Sequence, residues 1–349
     1  MRDRVFVIAE IGVNHNGRLR TALRLADRVA KAGADALKFQ AFKSSELVSG
    51  AAPLAEYQAR NMKRAAGAQL DMLRSLELSY GDLKRLKAHC DAIGLPALAT
   101  PFDFESADFL DGLIDAFKIG SGEVTNLPFL RHVAAKGKPV LLSTGMSTLK
   151  EIATAVAAIR ECRPAGSRRS PPLTLLQCTT SYPCPFEDVN LRAMETLKGA
   201  FGVPVGFSDH TPGIEASVAA AALGAAVIEK HFTLDRDLPG PDHKASLEPD
   251  EFQRMVAAIR NVESALGDGV KRVMPSERPN LAVARKSLVA ARDIRKSESI
   301  TEGMISIKRP AGGIPPGDLK KAVGMRARRD IPRDTVLVWA DLSRRRDAR

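Results

Sequence analysis

Two histidines of this chain occupy positions where metal chemistry could occur. His210 follows the apolar run Val205 to Phe207, and His231 follows Val227-Ile228. Adjacent parallel strands lie about 4.8 Å apart, so both imidazoles can face one ion if the two runs are neighbouring strands. Two nitrogen ligands leave positions for water and substrate oxygens, which favours octahedral manganese, cobalt or magnesium over a closed zinc site. For either histidine alone, a hydrogen-bonded structural role is the alternative.

A second group of polar residues has the chemistry of an anion site. Lys38 and Lys118 supply ammonium groups, and Lys118 lies in Lys-Ile-Gly-Ser-Gly-Glu, whose glycines let backbone N–H groups approach an anion closely. Hydroxyl donors follow other apolar runs at Ser121, Ser143, Thr144 and Ser208. The sequence contains no P-loop, so a nucleoside triphosphate is not indicated. A Schiff-base aldolase that uses Lys38, Lys118 or Lys230 is the alternative chemistry.

Carboxylates could complete such a site. Glu10 ends the first apolar run, and we expect it across the site from the histidine pair. Asp209 and Asp242 lie near the histidines in sequence. Carboxyl groups held in this way can transfer protons or orient a metal-bound water.

The candidate residues follow eight short apolar runs, each of which ends at a polar residue. We therefore expect the elements formed by these runs to position them. Parallel strands that are buried on both faces have continuous apolar runs, and a barrel carries its chemistry at their carboxyl ends. The runs are Val5 to Ile8, Ala36-Leu37, Ala97 to Ala99, Ala116-Phe117, Val140 to Leu142, Leu173 to Leu176, Val205 to Phe207 and Val227-Ile228.

The segments between the runs are long enough for crossover helices. Gly33, Gly94, Gly137 and Gly224 each precede the next run, where a left-handed helix C-cap places glycine. A doubly wound sheet is the alternative architecture, but no GxGxxG follows any strand. The pattern therefore predicts a (β/α)8 TIM barrel in the α/β class.

The 349 residues exceed a barrel of about 250 residues, so a second module is expected. We predict a catalytic barrel at 1–268, a linker rich in turn residues at 269–284 and a small β-rich domain at 285–349. Strand-like runs in this tail are Ser287 to Ala290, Met304 to Ile307 and Val336 to Trp339. So few apolar residues make a thin core, which we expect to dock on a barrel.

Composition limits the partners. The net charge is +11, and residues 285–349 carry 17 lysines and arginines against 8 acidic residues. Trp339 is the only aromatic residue of this tail, which argues against nucleic acid and favours attraction of small anions. Without a signal peptide or membrane span, we expect a cytoplasmic protein with four reduced cysteines.

Six motifs in order resemble the sialic acid synthases, the bacterial N-acetylneuraminate synthases and their relatives, over nearly the whole chain. They begin at Ile8 (IAEIGVNHNG), Lys118 (KIGSGE), Leu142 (LSTGM), Gly206 (GFSDHT), Glu229 (EKHFT) and Gly240 (GPDHKASL). The tail, with Lys308-Arg309-Pro-Ala-Gly-Gly-Ile, resembles the antifreeze-like (SAF) domain that in this family closes the barrel of the partner subunit.

The resemblance implies a homodimeric enzyme that condenses phosphoenolpyruvate with an N-acylated hexosamine to give a nonulosonic acid and phosphate, with C–O cleavage. N-acetylmannosamine is the first substrate it suggests, and 2,4-diacetamido-2,4,6-trideoxymannose, for a legionaminic acid synthase, is the alternative. A Schiff-base aldolase and a non-catalytic protein whose tail binds ice are the more remote hypotheses. No membrane or nucleic acid partner is expected.

The resemblance also implies a role for each candidate residue. His210 and His231 would hold a divalent metal, Mn²⁺ first and Co²⁺ or Mg²⁺ as alternatives, while Glu10 and Glu123 would act with them in catalysis. Thr180 replaces the asparagine of many relatives, and Gly324-Met325 replaces a Gly-Lys pair. The implied substrate-binding residues are Lys38, Gln40, Thr100, Phe102, Lys118, Ser121, Ser143, Thr180, Tyr182, Ser208, Asp242 and Arg309, the last binding the sugar N-acyl group from the partner subunit.

Overall fold

The computed structural model describes residues 4–62, 69–162, 170 and 172–344, which form two compact units, Met1–Gly267 and Asp268–Arg349. In the first unit, eight strands pair in parallel and in chain order, and the first strand closes on the eighth. This confirms the predicted barrel. The strands are β1 (Phe6–Gly12), β2 (Ala36–Ala41), β3 (Ala97–Pro101), β4 (Phe117–Ile119), β5 (Val140–Ser143), β6 (Leu173–Cys178), β7 (Val205–Asp209) and β8 (Val227–His231).

Helices connect these strands. Gly33, Gly94, Gly137 and Gly224 have φ of 82°, 69°, 77° and 89°, the left-handed conformation that was predicted. Over the residues that the structure describes, no helix is long and apolar enough to cross a membrane. The helices of this unit are α1 (Leu19–Ala32), α2 (Ser44–Leu47), α3 (Glu56–Asn61), α4 (Gln69–Leu76), α5 (Tyr80–Ala92), α6 (Phe104–Asp111), α7 (Leu127–Ala135), α8 (Leu149–Glu161), α9 (Ala193–Phe201), α10 (Glu215–Ala222) and α11 (Pro249–Leu266).

The barrel interior contains an apolar layer beneath a polar one. The apolar cluster consists of Ile8, Ala36, Leu98, Leu141, Leu176 and Val227, with Ala116 packed against it. Because side chains of a strand alternate between its two faces, the residue two positions later points the same way. Those residues are Glu10, Lys38, Thr100, Ser143, Cys178, Glu229 and Lys118, respectively. The strand period therefore places polar groups on top of the apolar layer, at the carboxyl ends of the strands.

Gly206 of β7 shows how closely this interior is packed. A Cβ atom on Gly206 would lie 2.4 Å from the Val227 carbonyl oxygen and 2.7 Å from Leu176 Cδ2. We expect Gly206→Ala to lower the free energy of unfolding by about 1–3 kcal/mol, because a backbone atom has to move. Chemical denaturation measures this change. Gly199→Ala in α9 is the control, since nothing lies within 4 Å of a Cβ there, and equal stability of both variants would contradict the packing argument.

The second unit has two short antiparallel sheets, formed by β9 (Ser287–Ala290) with β10 (Ile305–Lys308) and by β11 (Arg326–Ala327) with β12 (Leu342–Ser343). The predicted strand Val336 to Trp339 was wrong: Val336 makes one isolated bridge to Val289, and Trp339 begins a 3-10 turn. Helix α12 (Arg278–Ala284) occupies part of the predicted linker. Its proline does not prevent the helix from forming, because it lies in the first turn, where proline is tolerated. Helix α13 (Leu319–Ala322) completes this unit.

Candidate active site

A cavity of about 330 Å³ opens where the barrel strands end, and its lining includes most of the predicted site residues. Its polar floor comes from strands β1 to β8 and its wall from the connections that follow them. The predicted residues that line it are Glu10, Lys38, Gln40, Thr100, Phe102, Lys118, Ser121, Ser143, Thr180, Tyr182, Ser208, His210, His231 and Asp242.

His210 and His231 face each other across this cavity, with ring centroids 5.5 Å apart. The Nδ1–H of His210 donates to the Thr179 carbonyl oxygen at 2.7 Å, which leaves the lone pair of Nε2 free. Nδ1 of His231 is buried and has no hydrogen-bond partner among the described residues. Burial lowers the pKa of His210 to about 4, and burial with repulsion from His210 lowers the pKa of His231 well below its ordinary value.

Both histidines are therefore neutral at pH 7 and present free lone pairs, the form in which imidazole binds a metal ion. In the described ranges no three His, Cys, Asp or Glu side chains converge as a complete metal cage. The donor set is an open pair of nitrogens. It fits an ion whose remaining ligands come from water and substrate.

Lys38 and Lys118 share a buried carboxylate, Glu229. Lys38 Nζ lies 2.8 Å from Glu10 Oε2 and 3.6 Å from Glu229 Oε1, and Lys118 Nζ lies 3.5 Å from the same Glu229 atom. Burial opposes the charge on Lys38, but attraction to Glu10 and Glu229 outweighs it and raises the pKa of Lys38. Burial lowers the pKa of Lys118. The pair thus offers cationic donors on the cavity floor.

Sequence reasoning assigned no role to Glu229, although the signal was present. Glu229 lies two residues before His231, so the strand period turns both toward the interior. Its Oε1 accepts from Ser208 at 3.1 Å, and Oε2 is buried without a hydrogen-bond partner in the part of the chain that the structure describes. Burial opposes ionisation, but Lys118 and Lys38 outweigh it and lower the pKa of Glu229. It anchors both lysines as an anion.

Glu10 was expected across the site from the histidines, but it lies beside one of them. Closure of the barrel pairs β1 with β8, so Glu10 and His231 are register partners. Gln40 Nε2 donates to Glu10 Oε1 at 3.0 Å. Burial raises the pKa of Glu10, against the attraction of Lys38, and burial with repulsion from Glu10 raises the pKa of Asp242 to about 7. Asp242 can therefore hold or release a proton near neutral pH, next to the carboxyl group of Glu10.

Hydroxyl groups from the end of β5 and from the loops after β4 and β6 converge on the opposite side. Ser143 Oγ and Thr180 Oγ1 are buried without a hydrogen-bond partner among the described residues. The Gly145 N–H donates to Ser121 Oγ at 3.0 Å, and a Cβ on Gly145 would lie 2.5 Å from Thr180 Oγ1. A glycine is thus required for this close approach. The cavity thus combines unsatisfied hydroxyls with two lysines, the kinds of donor that an oxyanion needs.

Five residues considered for the site in the sequence analysis do not line the cavity: Glu123, Thr144, Asp209, Lys230 and Arg309. Glu123 lies on the 3-10 turn Ser121–Glu123, where its Oε2 accepts from Asn126 at 2.7 Å. Thr144 donates to the Leu176 carbonyl oxygen, and Lys230 points to the outer face of the barrel, where it pairs with Asp209. Arg309 is exposed in the second unit.

An aromatic and apolar wall covers the other side of the cavity. Tyr182 packs on His210 at a centroid distance of 4.1 Å, and Tyr57 of α3 packs on Tyr182 at 5.0 Å. Tyr57 was not predicted, because it lies in a connection where no strand period applies. The apolar side chains of this wall come from the β1 loop, the β2 to β3 connection and the β3 loop: Val13, Phe42, Leu47, Val48, Met72, Leu73, Leu76 and Phe102.

The four cysteines are free, as predicted. Cys178 also lines the cavity, where its Sγ lies 3.1 Å from Ser121 Oγ. It contributes to the packing of the anion side.

Comparison with known proteins agrees with this geometry. The model of the NeuB family matches residues 25–271, and that of the SAF domain matches residues 285–343. The chain is 46% identical to N,N'-diacetyllegionaminic acid synthase of Campylobacter jejuni, over 96% of this chain and 99% of that protein. It is 43% identical to the Legionella pneumophila protein of the same name, over 96% and 93%. The crystal structure of N-acetylneuraminic acid (sialic acid) synthetase from Leptospira borgpetersenii superposes with a TM-score of 0.69 at 35% identity, over 80% of this chain and 90% of that one.

Proposed function

This chain belongs to the NeuB family, and we propose that it condenses phosphoenolpyruvate with 2,4-diacetamido-2,4,6-trideoxymannose to give N,N'-diacetyllegionaminic acid and phosphate. The observation that carries the proposal is the single cavity in which two neutral histidines face two lysines and a set of unpaired hydroxyls. Two relatives, at 46% and 43% identity, carry this activity in their names. They favour this acceptor sugar over N-acetylmannosamine, the first expectation from the sequence.

Phosphoenolpyruvate binds in this proposal on the side of Lys38 and Lys118. Their ammonium groups face its phosphate and carboxylate, and the free hydroxyls of Ser143 and Thr180 supply hydrogen bonds that the protein itself does not use. Ser121, Thr100 and Ser208 complete this side. In this proposal the methylene carbon of the enol faces the histidine side of the cavity, where the sugar binds.

We propose that His210 and His231 hold a divalent cation, Mn²⁺ first and Co²⁺ or Mg²⁺ as alternatives. This cation would polarise the sugar aldehyde. It would also add positive charge to the cavity, where Glu10 and Glu229 offset the charge of the two lysines. The enol carbon attacks the aldehyde carbon, forming the new C–C bond. The aldehyde oxygen then takes a proton, for which Asp242, with its pKa of about 7, lies beside His231.

Attack leaves C2 of the former enol with oxocarbenium character. Water adds at this carbon, loses a proton, and the resulting tetrahedral centre releases phosphate as its C–O bond breaks. Glu10 and Asp242 line the cavity and can orient that water and take its proton. They are better placed for this step than Glu123, which is bound to Asn126 outside the lining.

We also propose a homodimer in which the SAF unit of each subunit covers the barrel mouth of its partner, with Arg309 bound to an N-acyl group of the sugar. The support for this arrangement is the family resemblance and the exposure of Arg309. Measurement of the molar mass by light scattering tests the dimer, and a monomer at working concentration would exclude the arrangement.

The apolar wall supports the choice of sugar. The diacetamido trideoxy sugar presents three methyl groups, whereas N-acetylmannosamine presents hydroxyls at C4 and C6. A hydroxyl that loses water against Phe42, Met72 or Leu76 finds no partner in those side chains, at a cost of about 1–3 kcal/mol. We therefore expect kcat/KM to be about 10- to 100-fold higher for the diacetamido sugar.

Phosphate release with each sugar, in the presence of Mn²⁺ and phosphoenolpyruvate, measures this ratio. We expect Met72→Gln to reduce it severalfold, because the amide can bond to a hydroxyl, whereas Leu223→Gln, at a position 46% exposed and outside the cavity lining, should leave it unchanged. Equal or better turnover of N-acetylmannosamine by the wild type would contradict the assignment of the sugar. Borohydride trapping of a pyruvate adduct would instead support the Schiff-base alternative.

A further inference from the structure

A buried ion pair lies directly behind the histidine pair. Lys230 Nζ lies 3.0 Å from Asp209 Oδ2, and both side chains are fully buried. The two residues are register partners in β7 and β8. They lie on the outer face of these strands, since Ser208, His210, Glu229 and His231 line the cavity on the inner face. The ion pair therefore links β7 to β8 at the end of the barrel where residues next to it in both strands line the cavity.

The ion pair is connected to the backbone that follows His210. Asp209 Oδ1 accepts from the Thr211 N–H at 2.8 Å and from its hydroxyl at 2.7 Å. Lys230 Nζ donates to the Thr211 carbonyl oxygen at 2.6 Å. Ser217 of α10 donates to Asp209 Oδ2 at 2.6 Å. His210 thus stands between two residues, Asp209 and Thr211, whose positions are fixed by the same network.

Stability alone does not explain a pair at this place. Two buried charges are costly to desolvate, and apolar residues of similar volume often replace such a pair without loss of stability. What an apolar pair cannot do is hold the Thr211 backbone by directed hydrogen bonds. The spacing of two imidazoles on adjacent strands needs such directional control, because a metal site requires ligand positions within a few tenths of an ångström.

We propose that Asp209 and Lys230 are positioning residues that set the distance and orientation of His210 and His231 from the outer face of the barrel. The inference rests on the proposed function, in which these histidines hold a divalent cation. Neither residue touches the substrates. They act on the cation through the strand backbone. Their replacement should therefore lower the affinity for the metal ion more than the affinity for phosphoenolpyruvate.

The test is calorimetric titration of the full-length protein with Mn²⁺ alone. The double variant Asp209→Asn/Lys230→Met removes both charges together and leaves no unpaired ion. We expect its Mn²⁺ dissociation constant to rise about tenfold, its thermal midpoint to stay close to that of the wild type, and its affinity for phosphoenolpyruvate to stay unchanged. Wild-type Mn²⁺ affinity in the folded double variant would overturn the proposal.

A second variant gives a result even if the double variant does not fold. Ser217→Ala removes one hydrogen bond to Asp209 and keeps a good helix former in α10, so it should fold and bind Mn²⁺ about threefold more weakly. If the double variant fails to fold, unchanged affinity in Ser217→Ala overturns the proposal. The matched control is Asp35→Asn/Arg260→Met, which neutralises an ion pair of 2.6 Å at the amino end of β2 and should leave Mn²⁺ affinity unchanged.

His210→Ala in the same titration separates this inference from the proposed function. If the wild type binds no Mn²⁺, or His210→Ala binds it as tightly as the wild type, the metal site is wrong and the inference falls with it. If His210→Ala loses Mn²⁺ while the ion-pair variants bind normally, only the inference falls.

Discussion

His210→Ala and His231→Ala are each expected to lower kcat/KM by about 10³-fold or more. Either change removes half of the protein nitrogens of the proposed cation site, and a catalytic cation contributes several kcal/mol to transition-state stabilisation. Mn²⁺ affinity should fall in parallel. Phosphate release and calorimetry measure the two effects, and circular dichroism checks that the barrel stays folded. The cavity can lose one imidazole without unfolding, since neither ring belongs to the apolar layer beneath it.

His89→Ala and His132→Ala are matched controls for the histidine variants. Each of these residues is partly exposed on a helix and pairs with an aspartate, Asp27 or Asp108, away from the cavity. Their replacement should leave both turnover and Mn²⁺ affinity within a factor of about two, as is usual for surface substitutions. Full Mn²⁺ affinity in His210→Ala or His231→Ala would refute the ligand assignment.

The second large effect is expected for Lys118→Met, which should lower kcat/KM about 10²- to 10³-fold, chiefly by raising the KM for phosphoenolpyruvate. Truncation of one partner of a buried charged contact costs about 2–5 kcal/mol. The change also leaves Glu229 paired with Lys38 alone, so the cavity floor becomes more negative where a polyanion has to bind. Initial rates at varied phosphoenolpyruvate and saturating sugar separate KM from kcat.

Lys150→Met is the control for this variant, because Lys150 is exposed on α8 and does not line the cavity. It should have wild-type kinetics for both substrates. A Lys118→Met enzyme with an unchanged KM for phosphoenolpyruvate and a raised KM for the sugar would place the anion elsewhere, and the orientation of the two substrates would have to be reversed.

Much of the barrel follows from local rules. Buried parallel strands need apolar runs, and the left-handed conformation before a strand selects glycine, so the eight runs and Gly33, Gly94, Gly137 and Gly224 predicted the β/α repeat that the structure has. The histidine pair was predictable for the same reason. Consecutive strands of a barrel are neighbours, and equal positions on neighbouring strands lie side by side.

Other features were mispredicted, either because they depend on long-range contacts or because strand alternation was not applied. Glu10 was expected across the site from the histidines because β1 and β8 are far apart in sequence, although closure of the predicted barrel already pairs these two strands. Lys230 could have been excluded as a Schiff-base candidate, because it alternates with His231 and so points outward. Tyr57 could not have been found, since its place above Tyr182 depends on the path of the β2 to β3 connection.

Helix α12 was missed for a different reason. The proline and charged residues before it resemble a linker in composition, but proline also fits the first turn of a helix. The predicted strand near Trp339 failed because a run of four apolar residues is too short to distinguish a strand from a turn.

The apolar wall of the cavity has a consequence for how this enzyme can change. Much of it comes from the short helices α2 to α4 and their neighbours, whereas the groups for condensation stand on the ends of the barrel strands. In the proposed function, sequence changes in this one connection therefore alter which sugar is accepted, while the bond-forming groups stay intact. Grafting that connection between related synthases is a route to new nonulosonic acids.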